Sequence, residues 1–379
     1  MLDSTYLLLA GVSLALGLCT GAVLHRSDFC LAGMFRDLFL FRRGDKLRSL
    51  LLLVVTTMVL FEVARLGGLL PNYPFPLFYS PTPANVIGGL LFGIGMVLAG
   101  GCVVGTLYRM GAGSLLSAVA FLGLIAGSAA YAELFPIWAP FIKRTTFFAG
   151  RITLPQIIGV APTLPVLVLA TAGGALLLRW RRQGKFSGAS AVAGDLPPWK
   201  AALLLSLITL VSAVAVGLPL GVTTSYAKIG GWAESLVAPG YVAQSAFFQA
   251  VPLHYRHPIT GAELAGGVAP RLDALAAIQY PLVAGIVLGS ALSALLLGEW
   301  HLRRRIPARQ FVSAFVGGSI MGLASRMAPT CNVWHLFGGL PMLAASSFLF
   351  LGGVLPGAWL GGLLLTRLVI PRNTPATGA

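Results

Sequence analysis

The apolar runs constrain this chain more than anything else in its sequence. Stretch after stretch of about 18 or more residues carries almost no charge, and about 20 such residues make a helix long enough to cross a bilayer. Hydropathy and chain breakers place about nine such segments, near 5–24, 47–66, 85–103, 113–132, 155–178, 200–220, 277–298, 309–326 and 343–367. Charged residues make up 10% of the chain against 57% hydrophobic, which excludes an ordinary soluble domain. The expected fold is an all-α integral membrane protein with about nine transmembrane helices, short re-entrant helices and two inverted repeats. In a soluble protein, 26 Lys and Arg against 11 Asp and Glu would suggest nucleic acid; here the surplus follows the positive-inside rule. The basic residues cluster at Arg26–Arg48 (including Arg43), at Arg109, at Arg179–Lys200, at Arg303–Arg309 (including Arg304 and Arg305), and at Arg367 and Arg372. That bias predicts a periplasmic N-terminus and a cytoplasmic C-terminus. The opening MLDSTY lacks a basic n-region, so the first apolar run is expected to stay as a span. Residues 179–199, basic and rich in small side chains, read as a cytoplasmic linker. They would separate a first half, 1–178, with an extra connecting helix, from a second half, 200–379.

An internal repeat runs through these segments. NVIGGLLFGIGMVLAGGC ends at Cys102 and FVSAFVGGSIMGLASRMAPTC ends at Cys331. Gly88, Gly89 and Gly93 precede the first thiol by the same steps as Gly317, Gly318 and Gly322 precede the second. The same offset maps Ala99 onto Ala328 and Gly123 onto Gly352. Both copies hold a G-x-x-x-G step, which lets helix backbones approach closely in lipid. More weakly, the DFCLAG loop at Cys30 matches GVTTSYAKIGG at Thr223 and Thr224. If the second copy starts five spans after the first, it is turned upside down, as in many secondary transporters whose site lies near the midplane.

Three cysteines share a setting at the end of an apolar run or in a loop beside it, wrapped in glycine, proline or asparagine: Cys30, Cys102 and Cys331. Gly101 beside Cys102 and Asn332 beside Cys331 argue for broken helices there. Such irregular backbone survives at membrane depth only inside protein or along an aqueous cavity, with helix N-termini presenting free N–H groups to an anion. A thiol is small, polarizable and a weak donor, so it can meet a soft sulfur anion without trapping it. Arg36, Arg109 and Arg326 could draw an anion to the entrance, and Thr223 and Thr224 could add hydroxyls. Cys19, in mid-helix, reads as an ordinary packing residue. No acidic pair falls mid-membrane, no phosphate-binding loop is present, and the paired histidines at 254 and 257 give no strong metal pattern. The four cysteines lack disulfide or zinc spacing, and no cofactor is implied.

DFCLAGMFRD, NVIGGLLFGIGMVLAGGCVVGTLYRMGAG and the TCN segment together resemble the three cysteine motifs of the YeeE/YedE sulfur-transport family. Their order is most similar to the thiosulfate-importing YeeE branch. The resemblance implies a bacterial inner-membrane importer that passes thiosulfate, or a closely related sulfur oxyanion, along Cys30, Cys102 and Cys331. It also implies a cytoplasmic TusA-type sulfur-carrier protein (YeeD) as partner. The third motif departs from the family's glycine-rich form: PTCNVWHLFGG places Trp334 and His335 after the thiol. A selenium-compound transporter therefore stays open as a reading. So do a membrane-embedded sulfurtransferase using Cys331 with His335, and a scaffold that recruits a carrier protein.

Overall fold

The computed structural model describes residues 4–42, 44–186, 195–302 and 306–369. Arg43, Arg303, Arg304, Arg305 and Arg372 of the basic set, and residues 187–194 of the expected linker, lie outside the described residues. In chain order come α1 (Ser4–Ser27), α2 (Leu31–Phe41), α3 (Asp45–Leu66), α4 (Pro83–Leu98), α5 (Val103–Gly111), α6 (Leu115–Thr145), α7 (Leu154–Ile158) and α8 (Thr163–Arg182). There follow α9 (Pro198–Ala215), α10 (Thr223–Val237), α11 (Pro239–Gln244), α12 (Ala246–Gln249), β1 (Leu253–Arg256) and β2 (Glu263–Gly266). The chain continues through α13 (Ala274–Leu296), α14 (Ala308–Met327), a wide helical turn at Trp334–Gly339, α15 (Ala345–Leu364) and a last turn at Leu365–Val369. Among the described residues, eight helical stretches are long and apolar enough to cross a bilayer. This is a multi-pass, all-α membrane protein. α14 stands outside that set because Arg309, Gln310, Arg326 and its glycines and serines dilute its hydropathy, yet it is 20 residues long and packs along α4 and α6.

The helices meet through bare backbone. A Cβ added at Gly93 of α4 would come within 2.7 Å of the Ala358 nitrogen of α15, and one at Gly322 of α14 within 2.9 Å of the Ser128 nitrogen of α6. The two repeat helices also cross each other. Gly88 faces Ala328, Gly95 faces Gly317 and Met321, and Gly317 faces Ala99. Residue numbers rise along one helix as they fall along the other, so α4 and α14 are antiparallel. Two copies of one motif packed antiparallel about their own centre are what an inverted repeat requires.

The remaining contacts obey the same exchange. α1 packs on α13 as α9 packs on α3, α4 on α15 as α14 on α6, and α2 on α15 as α10 on α6. The register differs by one residue from the sequence alignment beyond the second thiol. Gly123 faces Phe315 and Ser319, and its counterpart facing Val86 and Leu90 is Gly353, while Gly352 meets open space. The extra residue is absorbed before α15, where the turn at Trp334–Gly339 is wound more widely than an α-helix.

Other expectations shift for physical reasons. The fourth span continues to Thr145 despite Pro136 and Pro140; at 1.5 Å per residue its length is about 46 Å, more than a bilayer core. The fifth begins at Thr163, after the short α7. Arg179, Arg181 and Arg182 form the last turn of α8 rather than a linker, where cations suit the negative end of a helix. Leu196 is tied back by its N–H to the Arg26 carbonyl at 2.8 Å. The stretch containing His254 and His257 forms a β-hairpin, Leu253 opposite Gly266 and Arg256 opposite Glu263. Tyr255 anchors it by donating to the Val216 carbonyl at 2.9 Å. Cys19 is exposed on the outside of α1, because Gly17 and Gly21 turn the opposite face against α13.

The one-residue register shift has a direct test. Gly353→Ala forces a methyl against the α4 backbone and should reduce the yield of monodisperse protein in detergent several-fold. Gly352→Ala adds only helix propensity, worth about 1 kcal/mol, and should leave the yield and unfolding midpoint unchanged or raised. Size-exclusion chromatography and thermal unfolding of both variants check it.

Candidate functional site

The first thiol pair arises from two helix starts. Cys30 precedes α2 and Cys102 precedes α5, each with extended backbone at the N-cap position. Gly100, with φ of +73°, ends the α4 segment and Gly101 leads into the thiol. The Cys102 sulfur accepts from the Gly105 N–H at 3.3 Å, and the Cys30 sulfur lies beside it. Gly105 is obligatory here: a Cβ would lie 2.9 Å from the Cys30 sulfur and 3.3 Å from the Cys102 sulfur. Below this pair, Arg109 closes a cluster on one face. It donates to the Gly100 carbonyl, to Asp28 at 3.1 Å and to the Tyr108 hydroxyl at 3.1 Å. Tyr108 donates to Asp28 at 2.7 Å, and Lys46 reaches the other oxygen of Asp28 at 3.2 Å. His25, Asp28, Tyr108, Arg109 and Gln310 line a cavity of about 570 Å³ on this face.

The second half repeats the arrangement with different side chains. Cys331, fully buried, lies before the helical turn that contains Trp334. Thr223 at the start of α10 lies near Cys331, in the place that Cys30 takes beside Cys102. The Arg326 guanidinium donates to Thr223 Oγ1 at 2.6 Å. Arg326, Thr224, Tyr79, Tyr131 and Thr330 line a cavity of about 250 Å³ on the face opposite the Arg109 cluster. Trp334, bulky where the first half has Gly105, fits because Gly221 leaves room: a Cβ there would be 2.7 Å from the indole. The indole also stacks on Phe78, with centroids 5.0 Å apart.

Beside Cys102 the molecule narrows to a waist. A chamber of about 20 Å³, lined by Thr20, Leu24, Cys102, Val222, Ile286 and Val333 among others, has room for roughly one water. Tyr226 is fully buried on the first turn of α10 and within electrostatic reach of both Cys102 and Cys331, and its hydroxyl has no hydrogen-bond partner. Asn332 is 1% exposed and its carboxamide lies at the Cys102 thiol; beyond that sulfur contact, its nitrogen and oxygen have no partner. Each buried polar group left in this way costs about 1–3 kcal/mol.

Of the residues singled out by sequence, Cys30, Cys102, Gly101 and Arg109 come together, as do Cys331, Arg326, Asn332 and Thr224. Arg36 does not join them; its guanidinium pairs with Asp37 at 2.9 Å. Thr224 faces the cavity that Arg326 lines, and its neighbour Thr223 lies on the side of Cys331. His335 does not face the Cys331 thiol. Its Nδ1 bonds Ser347 at 2.8 Å, and its Nε2 lies 3.3 Å from both Thr330 and the Ala328 carbonyl. Tyr226 and Asp28 went unnoticed, although Asp28 sits two residues before Cys30 and Tyr226 three after Thr223. Spacing from the cysteines was the signal available for both.

A family model described as sulphur transport matches residues 26–360. A thiosulfate transporter TsuA of Spirochaeta thermophila is 28% identical over 93% of this chain and 98% of its own length. The thiosulfate transporter TsuA of Escherichia coli is 38% identical over 30% of this chain and 31% of its own. A probable transporter YedE of Salmonella typhimurium is 32% identical over 34% of this chain and 31% of its own.

The Arg109 cluster covers the approach to the Cys30–Cys102 pair from its face, and Asp28 is the carboxylate that holds it. Asp28→Ala leaves the guanidinium without its charged partner. Alkylation of Cys102 by a water-soluble maleimide applied from that face should then quicken several-fold, with Cys331 labelling unchanged. Mass spectrometry of the labelled peptides measures both.

Proposed function

The chain belongs to the sulphur-transport family, and on that premise we propose that it imports thiosulfate, or a closely related sulfur oxyanion, across the bacterial inner membrane. In this reading Cys331, Cys102 and Cys30 line a narrow path between the two cavities. The observation that supports it is the set of groups gathered by the fold: a cavity with an arginine on each face, the Cys30–Cys102 pair and the buried Cys331 thiol, and a narrow chamber at Cys102. Each sulfur occupies a helix N-cap, where backbone N–H groups and the helix dipole favour negative charge. A thiosulfate ion entering from the Arg326 side would meet fixed positive charge first and weak sulfur donors next. Conduction needs this sequence, attraction at the mouth and loose multi-site contact inside. Arg326, Thr224, Asn332 and Gly101 support the path; Arg36, paired with Asp37, serves the inner surface rather than the anion.

The positive-inside bias puts the Arg109 face and the C-terminus in the cytoplasm and the N-terminus in the periplasm. Residues 1–178 and 200–379 act as the two inverted halves, joined across the basic stretch at 179–199. The inner cavity, about 570 Å³, is then where a TusA-type carrier protein (YeeD) would collect the delivered sulfur.

Uptake of radiolabelled thiosulfate by proteoliposomes tests the proposal. The parent and Cys19→Ala should take up label at equal rates, since Cys19 faces lipid. Cys102→Ala should lose roughly tenfold or more, the consequence of removing hydrogen bonds to a charged guest. Uptake by Cys102→Ala at the parental rate would remove the thiol path from the account.

A further inference from the structure

The two halves match in backbone and differ in what fills the waist. The thiol contacts align Cys30 with Thr223, so Gly33 aligns with Tyr226, three residues further on in each half. A Cβ at Gly33 would meet only the Cys30 side chain, at 3.7 Å. The first half therefore leaves a gap where the second inserts a phenol. That phenol is fully buried, carries an unpartnered hydroxyl, and stands near both Cys102 and Cys331. Asn332, next to Cys331 in the chain and near Cys102, carries a buried amide with unused hydrogen-bonding capacity.

Resting on the transport reading, we infer that Tyr226 and Asn332 form a neutral donor site at the waist that binds the oxygens of a tetrahedral sulfur oxyanion while the thiols meet its terminal sulfur. Their chemistry suits that task. A phenol O–H and an amide N–H₂ supply directed donors without a fixed charge, so they can hold oxygens without the tight grip of a guanidinium in a dry site. A buried donor that nothing in the protein satisfies asks for an external acceptor. Two such groups lie near Cys102, and the chamber that Cys102 lines is too small for a hydrated ion. The arrangement also separates two kinds of recognition: sulfurs select for sulfur and neutral donors select for oxygen.

Tyr226→Phe removes only the unpartnered hydroxyl, so without ligand its unfolding midpoint should equal or exceed that of the parent. In proteoliposomes its KM for thiosulfate should rise about tenfold, the loss of one hydrogen bond to a charged ligand, with maximal rate much less affected. Asn332→Ala should raise KM similarly. The thermal shift that millimolar thiosulfate gives the parent should shrink in both variants. Parental KM and parental thermal shift in Tyr226→Phe would overturn the site and mean that the hydroxyl binds water alone. If the parent shows no uptake yet thiosulfate raises its midpoint and Tyr226→Phe abolishes the rise, the site stands and the transport reading falls. A parent with neither uptake nor shift overturns both.

Discussion

Contact of backbone against backbone between α4 and α14 is the constraint on which the rest of the structure depends. In lipid, helices gain little from the hydrophobic effect when they associate, and close packing of small residues takes its place. Gly88, Gly95 and Gly317 let the two repeat helices cross almost without side chains between them. Their antiparallel contact fixes where each helix ends relative to the other. Gly88 lies beside Ala328, so the Cys331 region begins level with the second turn of α4; Ala99 lies beside Gly317, so the Cys102 region begins level with the middle of α14. One glycine seam thereby puts two broken helix ends at different depths on a common axis. The flanking seams, α4 with α15 and α14 with α6, then close the walls around them.

Those broken ends explain why cysteine sits where it does. A helix that stops inside the membrane leaves its first N–H groups without partners, and lipid offers none. At Cys102 the sulfur accepts such a bond itself, from Gly105. Serine or aspartate caps helices more strongly. The thiol caps α5, and Gly105 leaves the space in which two sulfurs lie side by side.

Much of this was legible in the sequence because the governing patterns are local. Apolar length gave the spans, and the matched glycine steps before Cys102 and Cys331 gave the repeat and its inversion. What escaped was set by three-dimensional neighbours. The hairpin at Leu253–Gly266 owes its place to Tyr255 and to the buried Lys228–Asp273 pair, 2.8 Å apart, whose partners lie 45 residues from each other. The one-residue slip from Gly352 to Gly353 is hidden in a widened turn that composition does not announce. Thr223 and Thr224, like Arg36 and Arg109, are equally plausible by proximity along the chain, whereas helix phase decides which side chain turns inward. Tyr226 was invisible for a similar reason: an aromatic in an apolar helix reads as packing until its hydroxyl is seen to have no partner.

The departures from symmetry carry the functional argument further than the symmetry does. A strictly repeated molecule would present the same group sequence from either face. Here Cys30 and Gly105 in the first half stand against Thr223 and Trp334 in the second, so the Arg109 side holds two adjacent thiols and the Arg326 side one thiol with a hydroxyl and an indole. Thr223 Oγ1 is engaged by Arg326 at 2.6 Å, which ties the neighbour of the single thiol directly to a guanidinium. Arg109, by contrast, is engaged by Asp28 and the Gly100 carbonyl and lies beneath the thiol pair. One guanidinium is thus paired with a carboxylate and the other with a hydroxyl, a difference that arises from substitutions at only a few positions of a shared fold.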